Sequence, residues 1–390
     1  MTKLIYVANA RLPSEKAHPY QILKMCEAFT KNGLAVELVL PFRRQTTKKL
    51  KAVKDYWRYY DIERRYKITK LPSLDLIWID LYTRKLSSSR KMLQASSYAS
   101  LAAFYSLFKK SDIYYSREYL FALFLGALRF MHRKKVYHEV HTFEPFLNKF
   151  VKMGWLAGLI VITHRLEELY VNGGIPKEKI LVAPDGVDLK MFDQPISKED
   201  ARKELRIPSE ENMICYAGHL YDWKGAHVLA MSMRYLPDDC TSYFIGGMKE
   251  DIVRFGKFIK EHGITNVVTV GHVPPTMVPK YLSASDVLVL PNIRKGLSEY
   301  TSPLKLFEYL VSKRPIVASD LPSLREVLNA ENAILAEPGD PEALAEAIKK
   351  VLHDEDLAKQ IAEKAHADGQ QYSWEKRAEK ILEYIGGNNV

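Results

Sequence analysis

The chain has 390 residues, is 47% hydrophobic and carries a formal net charge of +10. That length buries a large core and favours two domains over one. Its three cysteines, Cys26, Cys215 and Cys240, are odd in number and lack C-x-x-C spacing, which excludes a disulfide framework and a structural zinc site and fits a reducing cytosol.

Taken in chain order, apolar runs of strand length alternate with helical segments. "MTKLIYVANA" has too short an apolar run for a secretory signal and reads as a first strand. A loop, Asn9 to Pro19, leads into the amphipathic helix "YQILKMCEAFTKNG", with Gly33 where a C-terminal cap belongs. "AVELVLP" is a second strand, followed by "DIYYS", "KVYHEV", "GLIVIT" and "ILVAP". The longest apolar stretch, "LFALFLGALRFM" ending at Met131, falls short of a bilayer span and reads as a buried helix. The second half repeats the grammar with "MICYAG", "TSYFIGG", "VVTVG", "VLVLP", "PIVAS" and "AILAE". This alternation predicts an α/β protein of two parallel, doubly wound sheets. The seam is expected near "DLKMFDQPISKED", which contains Pro195. The domains read as 1–192, closed by a helix over 373–390, and 193–372. Ligands of such sheets bind beyond the carboxyl ends of strands, so two facing sheets would place a site in the cleft between them.

Charge divides the halves. Residues 1–190 hold 33 Lys+Arg against 17 Asp+Glu, and the remainder 24 against 30. Much of the excess lies in 43–70 and in the flanks of 84–110, where basic groups accompany aromatic and apolar ones. This suits an anionic membrane surface, each nearby cation contributing about 1 kcal/mol; it equally suits a solvated lysine-rich face. No base-reading motif accompanies it, so nucleic acid is not an expected partner.

Two stretches point to a phosphate. In "TSPLKLFEYLVSKRPIVASD", Ser302 reads as an N-cap and Pro303 as a first-turn residue, leaving open amides at the positive end of a helix. Glu308 shares a helix side with Leu304 and Lys305, where its carboxylate could accept from ribose hydroxyls. The alternative is an ordinary capped helix packing through Leu304, Phe307 and Leu310. In "CYAGHLYDWKG", Lys224 and Gly225 follow a strand and open a helix, placing a point charge and a close-approach backbone where a diphosphate would sit. No G-x-G-x-x-G follows the first strand and no P-loop motif exists, which disfavours a dinucleotide oxidoreductase and a P-loop enzyme.

These residues carry a resemblance. "APDGVDLKMF", "YAGHLYDWKG", "SPLKLFEYLVSKRPIVASDLPSLREVL" and "YSWEKRAEKIL" resemble, in order, the interdomain motif, phosphate-binding segment, donor helix and closing helix of the retaining glycosyltransferases of family 4. That family has the GT-B fold of two facing Rossmann-like domains. The match spans most of 180–385; the first half resembles the family more loosely, through "KVYHEVHTF" and "VITHRLEEL".

The resemblance implies a nucleoside-diphosphate sugar as donor. Gly218, His219, Lys224, Gly225 and the segment Glu299, Tyr300, Thr301, Ser302, Pro303, Leu304, Lys305 and Glu308 would line its site. Lys224 and the amides of Ser302 to Leu304 would hold the diphosphate, Glu308 the ribose, and His141 would stand near the sugar. Two positions depart from the family. His219 replaces the arginine that usually partners the lysine, and Tyr300 stands where the first glutamate of the usual pair belongs, with Glu299 one step away. Arg11, Ser14 and His18 of the first loop are expected on the acceptor side. "DED" at 354–356 lies in a helical surface segment, so neither a metal nor another cofactor is expected. Departure of the nucleoside diphosphate builds negative charge that fixed cations stabilise, giving a hexosyltransferase-like enzyme acting with retention. No carboxylate stands out as covalent nucleophile; the leaving phosphate would take the acceptor proton, with His141 positioning or polarising. His138, three residues earlier, points to the opposite strand face. Glu139 and Glu144 read as solvated loop carboxylates, and Gly246, Gly247 and Gly271 as turns. The function expected is a cytoplasmic enzyme, peripheral at the membrane, that extends a lipid-linked or cell-envelope glycan. A soluble enzyme with a small acceptor and a non-catalytic basic binding protein are the alternatives.

Overall fold

The computed structural model describes residues 1–45, 47–75, 88–132, 134–193 and 196–387. The chain divides into two compact units, Met1–Pro184 with Trp374–Val390, and Asp185–Ser373.

The first unit is built on seven parallel strands: β1 (Lys3–Val7), β2 (Ala35–Pro41), β3 (Lys67–Leu71), β4 (Ile113–Ser116), β5 (Lys135–Val140), β6 (Gly158–Val161) and β7 (Ile180–Val182), in the order β3-β2-β1-β4-β5-β6-β7. The second has six parallel strands: β8 (Asn212–Ala217), β9 (Cys240–Ile245), β10 (Val267–Gly271), β11 (Val287–Leu290), β12 (Ile316–Ser319) and β13 (Ile334–Ala336), in the order β10-β9-β8-β11-β12-β13. Strands covered by helices on both faces must be apolar on both, hence β4, β6, β11 and β12 are buried at every position. In each sheet the strand order, with every strand parallel, reverses once, between β1 and β4 and between β8 and β11, and at such switch points the loops diverge and leave a crevice.

The helix Trp374–Gly387 belongs to the first unit, where Trp374, Ile381 and Ile385 are buried and Lys31 meets Glu375 at 2.9 Å. The division falls at Pro184/Asp185 and not at 192/193. Val187 already belongs with Ser373, to which it bridges in parallel while its N–H donates to the Tyr372 carbonyl at 2.9 Å. Pro195 lies outside the described residues, as do residues 84–87 of the basic segment.

Three further readings are corrected. β3 was hidden in the basic stretch: Lys67 pairs with Glu37 at 3.0 Å and Thr69 donates to the same carboxylate at 2.6 Å, so polar groups satisfy this edge strand. The apolar stretch ending at Met131 is helical only over Tyr119–Ala127, with Phe130 and Met131 87% and 72% exposed. His18 lies inside the helix Ala17–Lys31, which starts before the expected Tyr20 because a proline at position 19 is tolerated in a first turn. All three cysteines are free and buried.

Candidate active site

In the second unit, β8 ends at Ala217 and the chain passes through Gly218 and His219 to a single turn, Asp222–Lys224. Gly225 follows as the N-cap of the helix Ala226–Ser232, at φ 71°. A Cβ there would stand 1.6 Å from the Pro291 carbonyl oxygen. The absent side chain therefore admits the protein's own backbone, where the sequence suggested a ligand. Trp223 and Ile293 lock the same junction, the Ile293 N–H donating to the Trp223 carbonyl at 3.1 Å. The loops after β8 and β11, on either side of the switch point, are thus fastened together. Gly225→Ala combines left-handed strain with a backbone clash; it is expected to cost about 2–4 kcal/mol, read as a lowered melting temperature.

Lys224 is half-buried, its ammonium 5.2 Å from the Trp223 ring and 5.9 Å from that of Tyr221. Burial pushes its pKa down to about 8. The His219 ring stacks on Tyr221 at 5.0 Å, and the His219 carbonyl accepts from the Tyr216 hydroxyl at 2.5 Å.

The donor helix spans Leu304–Val311 with Pro303 as its N-cap, at φ −75° and ψ 130°. This corrects the expected cap: the Ser302 hydroxyl is taken up by the Asp185 N–H at 3.4 Å, and helical geometry begins beyond Pro303. Proline has no N–H, and the Leu306 amide turns back to the Pro303 carbonyl at 2.9 Å. The open donors are consequently the amides of Leu304 and Lys305, which bond to none of the described residues. Glu308, one turn on, is half-buried; burial pushes its pKa up to about 7 against the opposing pull of Lys305. Glu299 is exposed at the end of the turn Gly296–Glu299, with Tyr300 and Thr301 half-buried after it. Asn292, just past β11, has both amide atoms buried and unpartnered among the described residues, a feature its sequence context did not announce.

Lys305 stands electrostatically between Lys224 and Glu308, its pKa pushed down by burial and by Lys224 and held up by Glu308. Only the ammonium form of Lys224 attracts an anion, so diphosphate affinity is expected to fall as pH rises through about 8. Lys224→Arg, cationic throughout, should remove that limb in titrations from about pH 6.5 to about pH 9.5.

In the first unit, the C-terminal end of β5 carries a polar cluster. Glu139 was expected in solvent; it lies on the strand with a fully buried carboxylate. Its Oε1 accepts from His141 Nε2 at 2.6 Å and Gln21 Nε2 at 2.7 Å, and its Oε2 from the Tyr115 hydroxyl. Arg377 approaches at 3.3 Å and Arg117 at 3.9 Å. Burial alone would raise its pKa, but Arg377, His141 and Arg117 hold it well below the usual carboxylate range. A carboxylate can only accept, so His141 Nε2 carries the proton. Gln21, Tyr115, Arg117 and Arg377 escaped the sequence reading. The legible signal was Glu139 standing two residues before His141, hence on the same strand face.

His138 donates through Nδ1 to the Ser116 carbonyl at 3.0 Å. His18 is half-buried, its pKa held well below the usual range by burial and by Arg117 and His141. Ser14 is buried, its N–H donating to the Tyr60 hydroxyl at 2.8 Å, and half-buried Arg11 pairs with Glu15 at 3.7 Å. All three sit near the switch point after β1. Asp354 caps the helix Glu355–Gly369, accepting from the Leu357 N–H at 2.9 Å.

Residues 197–368 match the family described as glycosyl transferases group 1. The putative teichuronic acid biosynthesis glycosyltransferase TuaC of Bacillus subtilis is 27% identical over 215 residues, covering 54% of this chain and 51% of its own. The chain spans about half the length of the curated relatives it matches. Among solved structures, sucrose-phosphate synthase of Thermosynechococcus elongatus superposes with a TM-score of 0.77 at 18% identity, over 99% of both chains. Anabaena Alr3699/HepE in complex with UDP-glucose gives 0.76 at 14%, over 99% of this chain and 100% of that one. With this likeness over nearly its whole length, the chain has the GT-B fold, and residues 197–368 of its second unit are similar to the glycosyl transferases group 1 family.

Proposed function

We propose that the chain is a retaining glycosyltransferase that moves a sugar from a nucleoside-diphosphate sugar to an acceptor hydroxyl, with no metal ion. The observation that carries this reading is the junction at the β8/β11 switch point. There the loop after β8 carries a desolvated lysine, and the helix Leu304–Val311 carries two open amides, a half-buried carboxylate and Lys305, which lies under that loop. Such a set matches a diphosphate and its ribose, and its fixed charges stabilise the leaving group more as its charge grows. Anabaena Alr3699/HepE, of the same fold, is known with UDP and UDP-glucose, which supports the donor class. His141, oriented by Glu139, would position or polarise the reacting groups in the first unit.

For the acceptor we favour a lipid-linked or cell-envelope glycan, extended by a cytoplasmic enzyme at an anionic membrane surface. One relative is a putative teichuronic acid biosynthesis glycosyltransferase. The first unit also exposes apolar groups beside cations: Phe104 and Phe108, 59% and 73% exposed, meet edge to face at 4.9 Å ahead of Lys109 and Lys110. Lys134 donates to the Ser106 carbonyl at 2.9 Å and so ties the segment bearing exposed Phe130 and Met131 to that helix end. Such a corner suits an interface of headgroups and acyl chains. No helix of the described residues is long and apolar enough to cross a membrane.

The test is a transfer assay with a panel of sugar nucleotides, with and without chelator, on anionic vesicles carrying glycolipid acceptors. Expected are transfer with retained anomeric configuration, insensitivity to chelator, and vesicle binding that weakens as salt rises. Strict metal dependence or inverted product would overturn the chemistry; transfer only to small soluble acceptors would overturn the membrane reading.

A further inference from the structure

Lys305 is the second residue of the donor helix, yet it is only 5% exposed and its ammonium has no hydrogen-bond partner among the described residues. What faces it is the Tyr216 ring, with Nζ 3.7 Å from the centroid. A ring face attracts a cation but accepts no full hydrogen bond, so three N–H donors are left buried. Helical side chains lean back toward the N-terminus, and this one runs under the loop after β8: a Cβ on Gly218 would stand 3.7 Å from Lys305 Cδ. The ammonium therefore lies under the same loop that carries Lys224. Two like charges in one buried place repel, and burial together with Lys224 holds the Lys305 pKa well below the lysine range. An arrangement this costly relaxes when an anion joins it.

We propose, resting on the donor-site reading above, that Lys305 supplies the second fixed cation of the diphosphate site, working with Lys224 and the two open amides. A diphosphate carries more than one negative charge, and half-buried Lys224 alone leaves part of it uncompensated. The position where the resemblance leads one to expect an arginine holds His219, whose ring is stacked on Tyr221. Lys305 comes from the donor helix and runs under the loop that carries both His219 and Lys224.

The test is calorimetric titration of the parent, Lys305→Met and Lys224→Ala with UDP, ADP, GDP, uridine and inorganic pyrophosphate, together with the melting temperature of each. Methionine keeps the length of the side chain and its contact with Tyr216 but removes the charge. Expected for Lys305→Met is a fall of about 10- to 100-fold in affinity for pyrophosphate and for whichever diphosphate binds. Uridine binding should be unchanged, and the melting temperature equal to or above that of the parent, because an unpaired buried charge has gone. A cation needed only for packing on Tyr216 would give the reverse: a lowered melting temperature and diphosphate affinity within about twofold of the parent. That result, with Lys224→Ala still abolishing binding, overturns the role of Lys305 and leaves the donor site standing. A parent that binds neither pyrophosphate nor any of the three diphosphates overturns both. Should Lys305→Met not fold, Lys305→Gln makes the same comparison.

Discussion

Lys224→Ala is expected to lower sugar transfer by about 100- to 1,000-fold, the range for removing one preorganised group from a developing charge, while the fold survives. Burial pushes the pKa of this ammonium down to about 8, so alanine removes a desolvated cation that makes no hydrogen bond among the described residues. The loss should fall mainly on kcat, because the charge on the departing diphosphate is larger in the transition state than in the bound sugar nucleotide. The parent and variant can be compared by steady-state kinetics, with thermal unfolding as the control on folding. Transfer within a few-fold of the parent would take from Lys224 its assigned role. A rise in KM with kcat unchanged would mean that it holds the donor without helping it react.

Glu139→Ala is expected to destabilise the first unit by about 3–5 kcal/mol. Its carboxylate is fully buried and so, nearly, is the Arg377 guanidinium, 3% exposed. Removing the carboxylate leaves Arg377 beside the carbonyls of Ala183 and Pro184, to which it also donates, with no counter-charge. For a unit of this size the melting temperature should drop by roughly 10 °C. Glu139→Gln keeps the shape and an acceptor oxygen and should lose less. The two variants differ from the parent in pH dependence as well. The folded carboxylate titrates below its unfolded value, so its contribution is complete above the ordinary carboxylate range and is lost as pH falls through the folded pKa. Acid unfolding of the parent should therefore carry a component that Glu139→Gln lacks. Transfer by Glu139→Gln should also fall, through misorientation of His141; unchanged transfer with lowered stability would make the cluster purely structural.

Much of the fold was legible in the residues. The alternation of apolar runs with helical periodicity predicts two parallel sheets, because a strand's burial pattern is written within four to seven consecutive residues. Lys224 followed by Gly225 at a strand-to-helix turn was legible for the same local reason, and so was the separation of His138, bonded to Ser116, from His141. Strand β3 was not legible, since its lysines and threonine are satisfied by Glu37 on the neighbouring strand and nothing in its own five residues says so.

What the sequence determined by itself, then, is the order of strands and helices and the chemical kinds of residue at their ends, both encoded over one strand or one turn. The tertiary structure alone decided which charges are buried and what they meet. Glu139 becomes an anchor because Arg377 arrives from 238 residues away, Ser302 loses its capping role to Asp185, and Lys305 turns inward onto Tyr216. A charge's environment depends on groups the topology brings from distant segments, and local pattern carries no record of them.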